Sequence, residues 1–225
     1  MNYLAHALPF LDRPYLMAGT AVPDWLAVAD RSVRLRSRDA APLAVDPDEP
    51  AAQVAQGVLQ HFRDDARFHE TRAFAESMLA LTVRFRDALG ADAGFRPGFL
   101  GHLLVEVLVD ASLAAEDLGR LETYYAALET VDPNRVQQAV NRIARRPTDR
   151  LAPMIWAFFR ERILWDYLED AKLLVRLNQV MRRVGLAPLP DAVLGLFPEA
   201  RQLVDRRRQE LLEGIPVPSP EDQVL

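Results

Sequence analysis

Apolar residues recur at three- and four-residue intervals along most of the chain, and the apolar–polar alternation of β-branched residues that marks strands is scarce. The pattern predicts an all-α protein. A short opening helix stops near Pro9, and Asp12 can cap a second one with Pro14 in its first turn and a disturbance at Pro23, just before Asp24. Residues 30 to 50 carry Arg31, Arg34, Arg36 and Arg38 and then Pro42, Pro47 and Pro50, a composition that predicts a loop. Helix resumes from about Ala51. The segment GADAGFRPG, residues 90 to 98, breaks the pattern, and FLGHLLVEVLVDASLA after it reads as a central buried helix. Asp132-Pro133 has the form of a cap and first turn. From Leu151 to about Val184 one long helical stripe is expected, with Trp156, Phe159, Ile163, Tyr167, Leu174 and Leu177 on its apolar face and Trp165 off centre. The tail from Gly214 reads as extended and mobile.

The architecture expected from this is a compact multi-helix bundle forming one domain over residues 1–213, followed by the tail 214–225. With 225 residues, half of them hydrophobic, the chain can bury a sizeable core. The opening MNYLAHALPFLDRPYLM lacks a basic n-region and an unbroken apolar run, and no stretch of about eighteen apolar residues occurs, so a cytoplasmic chain with no membrane span is expected. The net charge of −5 speaks against binding to a nucleic-acid backbone. There is no cysteine, so any metal must be held by imidazole nitrogen and oxygen.

All four histidines lie in four-residue pairs with Asn, Asp or Glu. His61, Asp65 and His69 form one ladder, His102, Glu106 and Asp110 a second, and Asn2 with His6 a shorter third. Residues four apart on a helix stand about 6 Å apart along its axis and can reach one ion, whereas His61 and His69 are about 12 Å apart and cannot share one on a straight helix. In the second ladder every intervening residue is Leu or Val, and burying such polar groups is costly unless they are paired or ligate a cation. Each group also has an ordinary reading. His6 can be a core histidine bonded to backbone, Asp64 and Asp65 beside Arg63 and Arg67 can be a solvated salt-bridged face, and Asp24 can be a helix cap. An oxygen-and-imidazole site suits Mn²⁺, Fe²⁺, Mg²⁺ or Zn²⁺. The chain has no glycine-rich phosphate loop, no G-x-S-x-G elbow, no H-E-x-x-H and no Glu-x-x-His pair, which leaves metal-assisted hydrolysis as the enzymatic reading.

The opening MNYLAH, GTAVPDWL at 19 to 26, GVLQHFRDD at 57 to 65, the acids Glu106 and Asp110, and ARRPTDRL at 144 to 151 together resemble the bacterial acyl carrier protein phosphodiesterases, grouped with the all-helical HD-like metal-dependent hydrolases. The order and spacing of the pieces agree over roughly residues 1 to 170. The resemblance makes Asp24, His61 and Asp65 counterparts of family residues. Phe62 stands where the family has arginine, His69 where it has an aspartate, and Ala111 where a histidine follows its second acid.

The resemblance implies an HD-like bundle with a metal site between helices and a metal-dependent phosphoric diester hydrolase, with Mn²⁺ the favoured ion. His6, Asp24, His61, Asp65 and Asp110 are the ligands it points to, with Asp24 also catalytic, and His69, His102, Glu106 and Asn2 as outer or proton-transfer groups. The implied reaction releases 4′-phosphopantetheine from acyl carrier protein, an acidic partner that Arg34, Arg36, Arg38, Arg145 and Arg146 would meet. The acidity of the chain gives such docking no help, so a small phosphoester or nucleotide is the competing substrate, and a non-catalytic helical module that binds metal or a partner is the alternative of a different class.

Overall fold

Helix follows helix along the chain, and no strand occurs among the described residues, which in the computed structural model are 1–90 and 93–217. The α-helices are α1 (Tyr3–Ala7), α2 (Pro14–Ala29), α3 (Ser37–Ala40), α4 (Glu49–Glu70), α5 (Arg72–Leu89), α6 (Pro97–Glu116), α7 (Gly119–Glu129), α8 (Pro133–Ile143), α9 (Leu151–Glu161), α10 (Asp170–Arg183) and α11 (Phe197–Leu211). Packing sorts the chain into two compact units. One comprises Asn2–Ala66 and Asp117–Arg162, and the other Met1, Arg67–Glu116 and Ile163–Ile215. They are called below the His61 unit and the His102 unit.

In the His61 unit α2 packs against α1, α7, α8 and α9. Its core is aromatic: the Phe158 ring lies 4.7 Å from Tyr3, 5.4 Å from Trp25 and 6.2 Å from Tyr125 between centroids. Where α2 meets α4, two glycines face each other's backbones. A Cβ built on Gly57 would sit 2.2 Å from the Leu16 carbonyl oxygen, and one on Gly19 would sit 2.4 Å from that of Val54. No side chain fits there, so the absence of Cβ sets the helix separation.

Several expected boundaries move. Arg13, not Asp12, precedes α2, and it makes no side-chain cap. Helix α2 runs straight through Pro23, because burying Val22, Trp25 and Leu26 offsets the backbone bond that proline removes. The expected loop at 30 to 50 contains α3 and a 3₁₀ turn over Ala41–Val45, anchored by buried Ala40 and Leu43. Asp132 caps α8 through the Asn134 amide, with Pro133 in the first turn, as the sequence pattern requires.

The long stripe over 151 to 184 is three elements: α9, a 3₁₀ segment Ile163–Leu168, and α10. The break falls at Arg162, which is left-handed at φ 45°, while its guanidinium bonds Glu122 at 2.6 Å and lies over the Tyr125 ring. Trp156, placed on the buried face by the uninterrupted pattern, is 56% exposed.

In the His102 unit α5 and α6 pack along each other, and α11 crosses both. Gly101 brings α6 close to the Met78 carbonyl and Thr82 of α5. Helix α6 has the length and hydropathy of a membrane span, but 67% of that window is buried inside the protein, as in a core helix. The breaker after α5 is confirmed at Gly90, at φ 73°. The start of the tail is held down: the Gly214 carbonyl accepts from Arg67 and Ile215 is buried, while residues 218–225 lie outside the described residues.

Candidate metal centre

The helical repeat puts His61 and Asp65 on one face of α4, and the close approach at Gly19 and Gly57 brings α2 against that face. His61 Nδ1 lies 2.8 Å from the Thr20 carbonyl oxygen on α2. A carbonyl only accepts, so Nδ1 carries the proton and donates it, leaving a lone pair on Nε2. That nitrogen stands 3.5 Å from Asp65 Oδ2. From α1, His6 places its ring 4.4 Å from that of His61, centroid to centroid. His6 Nδ1 is 3.4 Å from Asp64 Oδ2, and its Nε2 is 3.4 Å from Asp65 Oδ1 without forming a hydrogen bond. Asp64 is anchored in turn by Gln60 Nε2, 2.7 Å from its Oδ1.

His6 and His61 are fully or nearly buried, and Asp65 is 29% exposed. One donor atom from each lies within 4.8 Å of the others. With ligand bonds of about 2.0–2.2 Å, the donors of a four-coordinate ion stand about 3.3–3.6 Å apart. The separations of 3.4 and 3.5 Å match that edge. Each imidazole also gives its other nitrogen to an oxygen acceptor, which is how ligating histidines are held.

The electrostatics agree with a donor set. Burial, reinforced by His6 alongside, pushes the His61 imidazole down to about 3, so it is neutral near pH 7. Burial would raise the Asp65 carboxyl, but the His6 and His61 imidazoles beside it hold it far below the ordinary carboxylate range. For His6 burial works downward, and the Asp64 and Asp65 carboxylates beside it outweigh that and leave the ring above its ordinary value. A proton on His6 and a cation in this place are therefore alternatives.

A second group lies in the His102 unit. His69 Nε2 and His102 Nε2 stand 3.0 and 3.1 Å from the same Glu106 oxygen, and the Met1 amino group 3.3 Å from it. Burial would raise the Glu106 carboxyl, but its bonds from His102 and His69 bring it down to about 2.

Of the five expected metal ligands, the structure brings together His6, His61 and Asp65. Asp24 is half-buried on α2, one turn beyond Thr20, and Asp110 is buried on α6, one turn beyond Glu106. Neither belongs to a three-donor group among the described residues. His69, His102 and Glu106 come together as their own set, and Asn2 accepts from the Tyr3 amide at the start of α1. Sequence reading missed two contributors, Asp64 and the Thr20 carbonyl. Asp64 carries a visible signal in its four-residue spacing from Gln60, and it is 3% exposed rather than part of a solvated face. The carbonyl leaves none. No protein-family profile, curated protein or solved structure matches the chain.

Proposed function

We propose that the chain is a divalent-metal-dependent phosphodiesterase of the HD-like helical kind, with His6, His61 and Asp65 as the protein ligands. The observation that carries this reading is the buried pair of imidazoles and one carboxylate, whose donor atoms stand at the spacing of metal ligands. Mn²⁺, Fe²⁺ and Zn²⁺ suit nitrogen–oxygen donors of this kind, and Mn²⁺ is the ion the family resemblance favours. Bound there, the ion supplies Lewis acidity toward a phosphoryl oxygen and a water made nucleophilic near neutral pH.

The chain's own residues do the positioning. Thr20 and Asp64 fix the two rings, and Asp65, ionised and partly open, faces outward from the buried pair. Asp24 on α2, in the same unit, is the proposed proton-transfer group. The substrate we favour is the 4′-phosphopantetheine ester of acyl carrier protein. Arg34, Arg36 and Arg146 support it, being exposed and without ion pairs among the described residues, whereas Arg38 and Arg145 lie near Asp39. The net charge of −5 favours instead a small phosphoester or nucleotide, the second reading.

Two experiments separate these. Metal analysis of protein purified without chelator should show a transition ion in the wild type and its loss in His61→Ala and Asp65→Asn. Holo-acyl carrier protein and a panel of phosphodiesters are then assayed with Mn²⁺ and the products weighed by mass spectrometry. Apo-carrier formation abolished by Asp24→Ala supports the first substrate, and turnover of nucleotides alone supports the second. A chain that takes up no ion when Mn²⁺, Fe²⁺ and Zn²⁺ are supplied is not a hydrolase of this kind.

A further inference from the structure

A two-imidazole, one-carboxylate set occurs twice in this protein. We propose that His69, His102 and Glu106, in the His102 unit, form a second divalent-cation site of the zinc class, open to solvent. The three residues come from the end of α4 and from adjacent turns of α6, so the site is assembled by tertiary packing and not by one helix. Both Nε2 atoms converge on one oxygen at the hydrogen-bond distances of 3.0 and 3.1 Å, and an opening of about 0.2–0.6 Å brings them to the donor spacing of a four-coordinate zinc ion.

The rings are held from the side. Phe74, buried near the start of α5, lies 4.7 Å from His69 and 5.0 Å from His102 between centroids, and Phe68 adds a contact to His69 at 5.6 Å. Thr71 fixes this turn by accepting from the Phe74 amide at 3.1 Å. Two imidazoles and a carboxylate select borderline ions such as Zn²⁺ or Co²⁺ over Mg²⁺ or Ca²⁺.

The second set differs from the first in access. His69, His102 and Glu106 side chains are 32%, 40% and 17% exposed, where His6 is fully buried. Three protein donors at a solvent-facing position leave room for an exogenous ligand, as in sites where an ion works on bound molecules. The Met1 amino group beside the same oxygen is the neighbour an incoming ion would have to accommodate.

The test is a titration of chelator-treated, full-length protein with Co²⁺, followed by calorimetry and by the visible absorption of four-coordinate cobalt. Wild type should take up two equivalents, His61→Ala one and His102→Ala one, and the double variant none. His69→Gln should match His102→Ala, which keeps the test valid if one variant fails to fold. The proposal is overturned if folded His102→Ala or His69→Gln takes up as much as wild type. It is also overturned if wild type takes up a single equivalent that His61→Ala removes, a result that leaves the proposed function standing. A single equivalent lost in His102→Ala but kept in His61→Ala supports this site and removes the basis of the proposed function.

Discussion

His61 donates its Nδ1 proton to the backbone carbonyl of Thr20 across 2.8 Å. This contact fixes the tautomer and turns Nε2 toward Asp65, and it joins a side chain of α4 to the main chain of α2. A backbone acceptor cannot be mutated away, so the histidine's orientation depends on helix packing.

The His6 ring is oriented differently, by the Asp64 carboxylate. Asp64→Asn keeps the shape and removes the charge. Metal affinity should fall by about 10–100-fold, the usual cost of losing an outer partner of a ligating histidine. Competition against a chromophoric chelator measures it, and unchanged affinity would show that Asp64 does not position His6.

Gly57→Ala should be damaging for a reason unrelated to polarity. Its Cβ would meet the Leu16 carbonyl oxygen at 2.2 Å and Gly19 backbone at 2.7 Å, atoms that cannot swing aside. The expected loss is on the order of 1–3 kcal/mol or more, as for overpacking in a tight core. Urea unfolding gives the number, and metal uptake by the surviving folded fraction should fall too, since α2 carries the His61 acceptor.

Thr71→Ala removes the acceptor for the Phe74 amide and the hydroxyl donated to the Phe68 carbonyl at 2.8 Å. A helix cap of this sort contributes about 1 kcal/mol. Thermal melting should show that drop, and Thr71→Ser, which keeps the oxygen, should recover most of it.

Asp46 gives a pH dependence with a definite sign. The Arg142 hydrogen bond, joined by the Asp48 amide, holds its carboxyl below the ordinary 3.8. The folded state thus binds the proton less readily than the unfolded chain. Its stabilising contribution is present above pH 3.8 and is lost as pH falls through the lower folded value. Unfolding midpoints between pH 6 and pH 2.5 should decline more steeply in wild type than in Asp46→Asn.

Much of this was legible in the chain. The four-residue intervals of His61 with Asp65 and of His102 with Glu106 become real contacts, because the helical repeat alone puts them side by side. Pro133 after Asp132 and the glycine at 90 mark real helix ends through backbone chemistry that needs no partner. The rest was set at a distance. His6 meets Asp64 and Asp65 across 58 and 59 positions of chain, and no local rule pairs them. Asp110 shares the spacing of the ligating residues and the family resemblance points to Asp24, yet neither joins a three-donor group among the described residues. Arg162 ends α9 in a left-handed turn that hydrophobic periodicity does not register, since an arginine there looks like any surface position.

The two glycines between α2 and α4 have a further consequence. With main chain against main chain, the distance between His61 and the α2 backbone cannot relax through rotamer changes. The His61 ring is thus oriented before any ion arrives, and the site should discriminate by ionic radius. Small ions that fit bonds of about 2.0–2.2 Å should be retained, and Ca²⁺, which needs about 2.3–2.6 Å and six or more oxygens, should be rejected even at high concentration.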